Sequence, residues 1–208
     1  MARILKNYTS VSIDSDQLKG KINFSKLFNR AAPVHIEIGS GKGTFLINEA
    51  QAVPEINFLG IEWASKYFRY AVDRIGRWDL RNVRLIRTDA AGFIREHIAE
   101  HTVDCLHIYY PDPWPKKRHN KRRFINKNNV DQILRILKTG AHLRIVTDHA
   151  DYYEHIKLVL RGYSSRFQTV QFRPTAGAET GEWVGTNFER KYLKEERSVF
   201  AIALEKIS

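Results

Sequence analysis

Residues 34–44 read VHIEIGSGKGT. An apolar run, VHIEIG (34–39), ends in glycines, and a helix-like pattern follows over residues 43–52. A strand that turns on glycines into a helix is the first unit of an open α/β fold, in which ligands lie at the C-terminal ends of the strands. Two familiar glycine loops are excluded. A P-loop needs Gly, four residues, then Gly-Lys-Ser/Thr, but here Lys42 precedes Gly43 and Ile36 stands where the first glycine belongs. The dinucleotide fingerprint G-x-G-x-x-G fails at its last position, which is Thr44. Glu37, two residues before Gly39, would repel a pyrophosphate and attract a cation.

The alternation continues along the chain. FLGIEW (58–63) is a second strand, followed by a helix from Ala64 to Arg77. VRLIRTDA (83–90) is a third strand with a short helix around 92–100, and VDCLHIYY (103–110) is a fourth. VDQILRILKTG (130–140) has the helical spacing Val130, Ile133, Leu134, Leu137, with Gly140 placed as a stop signal. AHLRIVTD (141–148) is a fifth strand and 150–161 another helix. FQTVQF (167–172) and SVFAIALEK (198–206) read as late strands with no full helix between them. This pattern predicts an α/β fold, a mostly parallel sheet ending in an antiparallel hairpin, as one domain over residues 1–208. Residues 1–30 form an N-terminal arm or extra element. Glu37, Glu62, Asp89, Asp112 and Asp148 fall at or just past the ends of successive strands, so five acids are expected to share one rim.

Such a rim suits S-adenosylmethionine, a nucleotide-like ligand that has no phosphate and carries a sulfonium and an ammonium. Gly39 and Gly41 let the backbone approach its methionine part. Glu62 lies 25 residues after Glu37, one strand–helix–strand unit away, and can accept both ribose hydroxyls. Asp89, after the third strand, can accept from the adenine amino group.

Apolar residues make up 43% of the 208-residue chain and aromatics 12%, enough for a packed core and against disorder. No stretch approaches the roughly 18–20 apolar residues of a membrane span. The start, MARILKNYTSVSIDSD, lacks the apolar segment of a signal peptide, so a cytoplasmic protein is expected. Cys105 is the one cysteine, which excludes a disulfide framework and a multi-cysteine metal site. In VDCLHIYY it reads as a small buried side chain. Lysine and arginine number 34 against 23 acids, a net charge of +11 that favours a polyanionic partner.

The charge is clustered. Residues 109–123 read YYPDPWPKKRHNKRR. Pro111, Pro113 and Pro115 fix φ at alternate positions, so the turn after the fourth strand is stiff and holds Asp112 and Trp114 in one geometry. Lys116, Lys117, Arg118, Lys121, Arg122 and Arg123 follow at once, a spacing suited to several phosphates.

These residues resemble a family. PDPWPKKRHNKRR, with EIGSGKGTFL before it and TNFERKY after it, is similar to the single-chain bacterial tRNA (guanine-N7-)-methyltransferases over about Glu37 to Tyr192. The resemblance implies a class I methyltransferase fold, S-adenosyl-L-methionine as cofactor, and a guanine in the variable loop of tRNA as acceptor. It carries cofactor contacts onto Glu37, Glu62, Asp89 and Asp112, and the catalytic role onto Asp112. Substrate contacts fall on Lys116, Asp148, Thr186, Asn187, Phe188 and Glu189, and RNA contacts on the segment Arg118, His119, Asn120, Lys121, Arg122 and Arg123. Tyr110 stands where a phenylalanine is more usual.

Guanine N7 carries an in-plane lone pair and no proton, so the expected demand is placement and stabilisation of developing positive charge, not a base. Thr186 also fits a helix-capping box with Glu189. Two other readings stand beside this one. An adenine-amino methyltransferase also places an acid or amide before a proline turn after its fourth strand. A catalytically silent RNA-binding protein would use KKRHNKRR alone. HIAEH (97–101) matches the zinc pattern H-x-x-E-H, but with no further ligand signature His97 and His101 read as surface residues, and no metal is expected. No self-complementary patch is visible, so monomer and homodimer both remain open.

Overall fold

The structure, a computed structural model, describes residues 4–208. Eight strands form one mixed sheet: β1 (Ser12–Ile13), β2 (Val34–Ile38), β3 (Asn57–Glu62), β4 (Val83–Arg87), β5 (Val103–Tyr109), β6 (Leu137–Thr147), β7 (Phe167–Val170) and β8 (Phe200–Lys206). Their order is β1-β4-β3-β2-β5-β6-β8-β7. Pairings from β1 to β6 are parallel, and β8 is antiparallel to both β6 and β7. The parallel body and antiparallel end agree with the sequence expectation. The order in which strands are added reverses between the parallel neighbours β2 and β5, which makes their C-terminal ends the crevice of the fold.

The period-2 pattern of the central strands decides the two faces. Val34, Ile36, Leu106 and Ile108 pack with Leu143 and Ile145 against helices α4 (Ala90–His97), α5 (Lys127–Ile136) and α6 (Ala150–Arg161). The opposite face carries Phe58, Leu85, Tyr109 and Val146 under α2 (Thr44–Ala52) and α3 (Ser65–Arg77). On that second face β2 presents His35 and Glu37, and β5 presents Cys105 and His107, paired across the strands as His35↔Cys105 and Glu37↔His107. A buried face that is partly polar needs internal partners. His107 is hydrogen-bonded to Tyr109 Oη at 2.7 Å and to His35 Nδ1 at 3.1 Å. Burial lowers the pKa of His35 to about 4 and pushes that of the Cys105 thiol up to about 12, so both stay neutral near pH 7.

Two expectations change. The helix expected over 130–140 ends at Ile136, and Gly140 is not its stop. Non-local donors capture its last carbonyls: His101 N–H on Arg135, Thr102 N–H on Ile136, and the buried Lys206 ammonium on Leu134. β6 starts at once, pairing Leu137 with Val103 and then His142 with Cys105, so extra residues bulge out around Gly140 at φ +80°. Between the late strands there is a helix, α7 (Asn187–Lys194), and the pair is not joined by a tight turn. The pattern H-x-x-E-H is also broken, because α4 ends at His97 and His101 lies beyond it at φ +54°.

The N-terminal arm joins the sheet. β1 pairs Ser12 with Leu85 and Ile13 with Ile86, and a short helix, α1 (Phe24–Phe28), adds Phe24 and Phe28 to the core. The arm is keyed to α3 by Tyr8, whose ring covers Gly76: a Cβ there would meet ring carbons at 2.1–2.6 Å. A helix-interior glycine is unfavourable by about 1 kcal/mol relative to alanine, and close approach is its reason here. Gly76→Val is expected to expel Tyr8 and destabilise the fold by about 1–3 kcal/mol, the usual range for overpacking. Urea unfolding measures the loss, limited proteolysis should cut residues 4–13 faster, and adding Tyr8→Ala should recover part of the stability.

Candidate active site

The glycine loop is held from one side. Gly39 and Ser40 N–H donate to the Ile61 carbonyl at 2.8 and 3.1 Å. Glu62, at the end of β3 and buried, accepts from Gly41 N–H through Oε2 and from Ala64 N–H through Oε1, both at 2.7 Å. One carboxylate therefore joins the loop to the first turn of α3, whose cap residue Ala64 has no side-chain acceptor of its own. Gly39 (φ +77°) and Gly41 (φ +54°) take left-handed conformations, and a Cβ on Gly39 would meet nothing within 4 Å. The loop thus shows bare backbone to open space.

Behind it lie two buried polar atoms with no hydrogen-bond partner, Glu37 Oε2 and Ser40 Oγ. Glu37 sits one residue inside the end of β2, only 4% exposed. Burial first, and then the neighbouring Glu62 and Glu49, raise its pKa well above the ordinary carboxylate range. An unpaired buried acid beside a bare loop suits a cationic donor group, and the ammonium of S-adenosylmethionine fits that requirement. Asp89 is the N-cap of α4, its Oδ2 accepting from Gly92 N–H at 2.7 Å. A cleft of about 740 Å³ opens between β1 and α3, lined by residues such as Asp14, Ser65, Arg69 and Arg87, and none of the expected site residues lines it.

Asp112 is exposed on the turn after β5. Two non-glycine residues in left-handed conformation, Tyr110 (φ +49°) and Trp114 (φ +44°), bracket the turn. Such conformations cost about 1–2 kcal/mol per residue and persist where surrounding contacts impose them. Tyr110 is fixed by its N–H on the Val146 carbonyl at 2.7 Å and by an aromatic cluster with Tyr192 (5.4 Å between centroids) and Phe188 (6.3 Å). Trp114 is clasped by Arg122, 4.9 Å above its ring, and edge-on by His119 at 5.9 Å. Asn120, with its amide nitrogen turned inward, donates to the Trp114 carbonyl at 3.0 Å.

The basic run forms a short 3-10 turn, Lys117–Arg122, and divides by exposure. Lys116, Lys117, Arg118, Lys121 and Arg122 are exposed, while His119 and Asn120 are half-buried. Arg123, expected among the RNA contacts, is 2% exposed. Its guanidinium is committed internally, to the Pro113 carbonyl and the Asp151 carboxylate.

The TNFE segment divides in the same way. Thr186 caps α7, its hydroxyl accepting from Glu189 N–H at 3.0 Å. Glu189, expected to contact substrate, is fully buried, and its carboxylate accepts from the N–H groups of Trp183 (2.6 Å), Val184 (2.9 Å) and Gly185 (2.8 Å). It shapes the loop rather than facing outward. Asn187 donates to Thr44 Oγ1 at 2.8 Å, which docks α7 on the start of α2, and Phe188 is 52% exposed. Asp148, just past β6, is paired with Arg197 at 3.0 Å, and Arg197 also lies over the Tyr192 ring.

Sequence reading missed the segment that brings α7 to this place. After β7 the chain crosses back over β8, β6 and β5 to α2. Arg144 on β6 donates to the Arg173 carbonyl and stacks on Phe172 at 4.2 Å. Glu49 on α2 accepts from Gly177 N–H at 2.5 Å, and Asn48 donates to the Gly185 carbonyl at 3.1 Å. Gly177 is obligatory there, since a Cβ would lie 2.4 Å from the Asn48 backbone. Glu49 and Arg144 carry no motif signal; a buried charge on an otherwise apolar face is the one hint that spacing offers.

Known proteins resemble this chain in sequence and in fold. Residues 31–202 match the family model Methyltransf_4, described as "Putative methyltransferase". A tRNA (guanine-N(7)-)-methyltransferase of Streptococcus thermophilus is 30% identical over 92% of this chain and 88% of its own length. One from Alkalilimnicola ehrlichii is 35% identical over 89% of this chain and 77% of its own. Among solved structures, an antibiotic-related methyltransferase overlays with a TM-score of 0.63 at 17% identity, covering 88% of this chain and 92% of its own, a likeness of fold alone. With a methyltransferase family model matching residues 31–202 and relatives of 30% and 35% identity over about nine-tenths of its length, the chain belongs to the tRNA (guanine-N7-)-methyltransferase family.

Proposed function

We propose that this chain transfers the methyl group of S-adenosyl-L-methionine to N7 of a guanine in the variable loop of tRNA. The observation that carries the reading is the adjacency of β2 and β5. The unpartnered carboxyl oxygen of Glu37 lies on one strand, and the exposed Asp112 follows the end of its neighbour.

The donor supplies an electrophilic methyl group on a positively charged sulfur. Glu37, Gly39 and Gly41 hold its amino-acid end, Glu62 its ribose and Asp89 its adenine. The acceptor nitrogen needs no deprotonation, so the protein's work is alignment and electrostatics. Asp112 accepts from the guanine N1–H and N2–H₂ edge and opposes the positive charge that builds on the purine. Phe188 offers an exposed aromatic face for the flipped-out base, with Asn187, Asp148 and Lys116 at its edge. Thr186 and Glu189 support this contact from behind by fixing the loop. Arg118, Lys121 and Arg122 take the phosphates, with His119 and Asn120 shaping the turn that presents them.

Incubating unmodified tRNA with labelled donor and identifying the product nucleoside should give 7-methylguanosine; N6-methyladenosine would instead support the adenine reading. Asp112→Ala is expected to lower kcat by about 100-fold or more while circular dichroism stays native. Near-normal turnover by that variant would remove Asp112 from the mechanism.

The state of Glu37 makes donor binding pH-dependent. Its folded pKa is raised, so at any pH below that raised value the empty site holds a proton, and a cationic ligand favours the ionised form. Binding therefore releases that proton. Affinity for the donor should rise with pH, by up to about tenfold per unit, until the raised pKa is passed, and then level off. Calorimetry in buffers of different ionisation enthalpy counts the proton released. Glu37→Gln should flatten the profile, and an unchanged slope would refute the assignment. Replacing Arg118 and Lys121 together by alanine should weaken tRNA binding and reduce the slope of log K against log salt by about 2.

A further inference from the structure

Arg123 ends the basic run, yet its side chain is 1% exposed. Three groups on two elements receive it. Nε donates to the Pro113 carbonyl at 2.9 Å, on the peptide next to Asp112. Nη2 pairs with Asp151 in the first turn of α6, three residues past Asp148. The guanidinium also lies 5.0 Å from the ring of the buried Tyr152. The chain on the other side is pinned as well. Ile125 N–H donates to Tyr152 Oη at 3.1 Å, and His155 Nε2 contacts the Ile125 carbonyl at 2.9 Å. Asn126 donates to the carbonyls of Arg123 (3.1 Å) and Phe124 (3.3 Å).

A buried guanidinium is costly to desolvate unless its donors are met in good geometry. Here they bridge two turns, the proline turn after β5 and the start of α6 after β6, beyond the point where the Tyr110 N–H bond to the Val146 carbonyl ends the strand pairing. Those turns carry Asp112 and Asp148. The prolines make the first turn stiff, but stiffness alone does not set its angle to the rest of the rim. A planar fork spanning both turns does, and a lysine ammonium on a single stem cannot reproduce that span.

We propose that Arg123 is a positioning residue for the methyl transfer, clamping the Asp112 turn to α6, and is not an RNA contact. The basic run is thus divided by direction. Arg118, Lys121 and Arg122 face outward to the polyanion, and Arg123 faces inward and sets the carboxylate that meets the base. This inference rests on the function proposed above.

Arg123→Lys separates the two roles, because it keeps the charge and removes the fork. At saturating tRNA and donor, kcat should fall by about 10- to 100-fold, as misplacement of a catalytic group by about 1 Å does. The Kd for tRNA and for S-adenosylmethionine should stay within twofold of the wild type. Amide hydrogen exchange should quicken in a peptide spanning residues 110–116, a readout independent of turnover. Asp151→Ala should give a smaller loss of kcat in the same direction, with Asp151→Glu restoring part of it. Arg118→Ala should instead raise the Kd for tRNA. If Arg123→Lys keeps wild-type kcat, or loses tRNA affinity as Arg118→Ala does, the proposal is overturned. Should Arg123→Lys fail to fold, Asp151→Ala decides: a wild-type kcat there also overturns it. Wild-type protein in the same assay keeps the two readings apart. Failure of the wild type to form 7-methylguanosine sinks the function; success of the wild type with an unaffected Arg123→Lys sinks only the clamp.

Discussion

The carboxylate of Glu62 stands between two backbone N–H groups, one on the glycine loop and one at the start of α3. That bridge, with the Gly39 and Ser40 N–H groups on the Ile61 carbonyl, keeps the loop on the sheet, and it also serves a helix whose cap residue has no side-chain acceptor. It also places a second acid beside Glu37, which adds to burial in raising the cost of ionising Glu37. A site built this way is poised for a cation. Burial and repulsion make Glu37 harder to ionise until a positive group arrives, and the bare backbone of Gly39 and Gly41 leaves room for it.

The opposite half of the rim is organised by packing instead of charge. Tyr110, Phe188 and Tyr192 bring β5 and α7 together through ring contacts, and Asn187 ties α7 to Thr44 on α2. The Tyr110 hydroxyl is buried without a partner, and its pKa is raised by burial first and by neighbouring Glu189 and Asp148. A tyrosine in this place therefore remains a neutral phenol, and its ring does the structural work that a phenylalanine would do. The chain between β7 and α7 is carried across the sheet by charged groups under it, Arg144 and Glu49, each meeting a backbone group of the crossing segment. Glu49 is buried and Arg144 half-buried. Their partners give the reason they are tolerated in an interior where an unpaired charge would cost several kcal/mol.

Much of the architecture was legible in the residues. Strands β2 to β5 and the helices between them follow from apolar runs ended by glycine or acid, because burial on both faces demands such runs. The end of α5 was not legible, since the donors that stop it at Ile136 are the His101 and Thr102 amides and Lys206, all of them distant in sequence. Helix α7 was missed because it is short, and its one internal signal, the Thr186 cap with Glu189, was read as a site feature as well as a capping box. Arg123 and Glu189 were both expected to face ligand. Motif and charge are properties of residue type, and neither tells which way a side chain points.

Sequence by itself determined the kind of chemistry. Glycines without a phosphate-loop lysine, acids at successive strand ends, and a proline-locked aspartate followed by cations name the charge of each partner, because charge and backbone freedom belong to single residues. Tertiary structure alone decided the division of labour among those residues. Which acid is orphaned (Glu37), which is a bridge (Glu62), which arginine faces solvent (Arg122) and which is buried (Arg123) depend on desolvation and on hydrogen-bond partners far away in the chain. Those quantities exist only once the chain has closed around them.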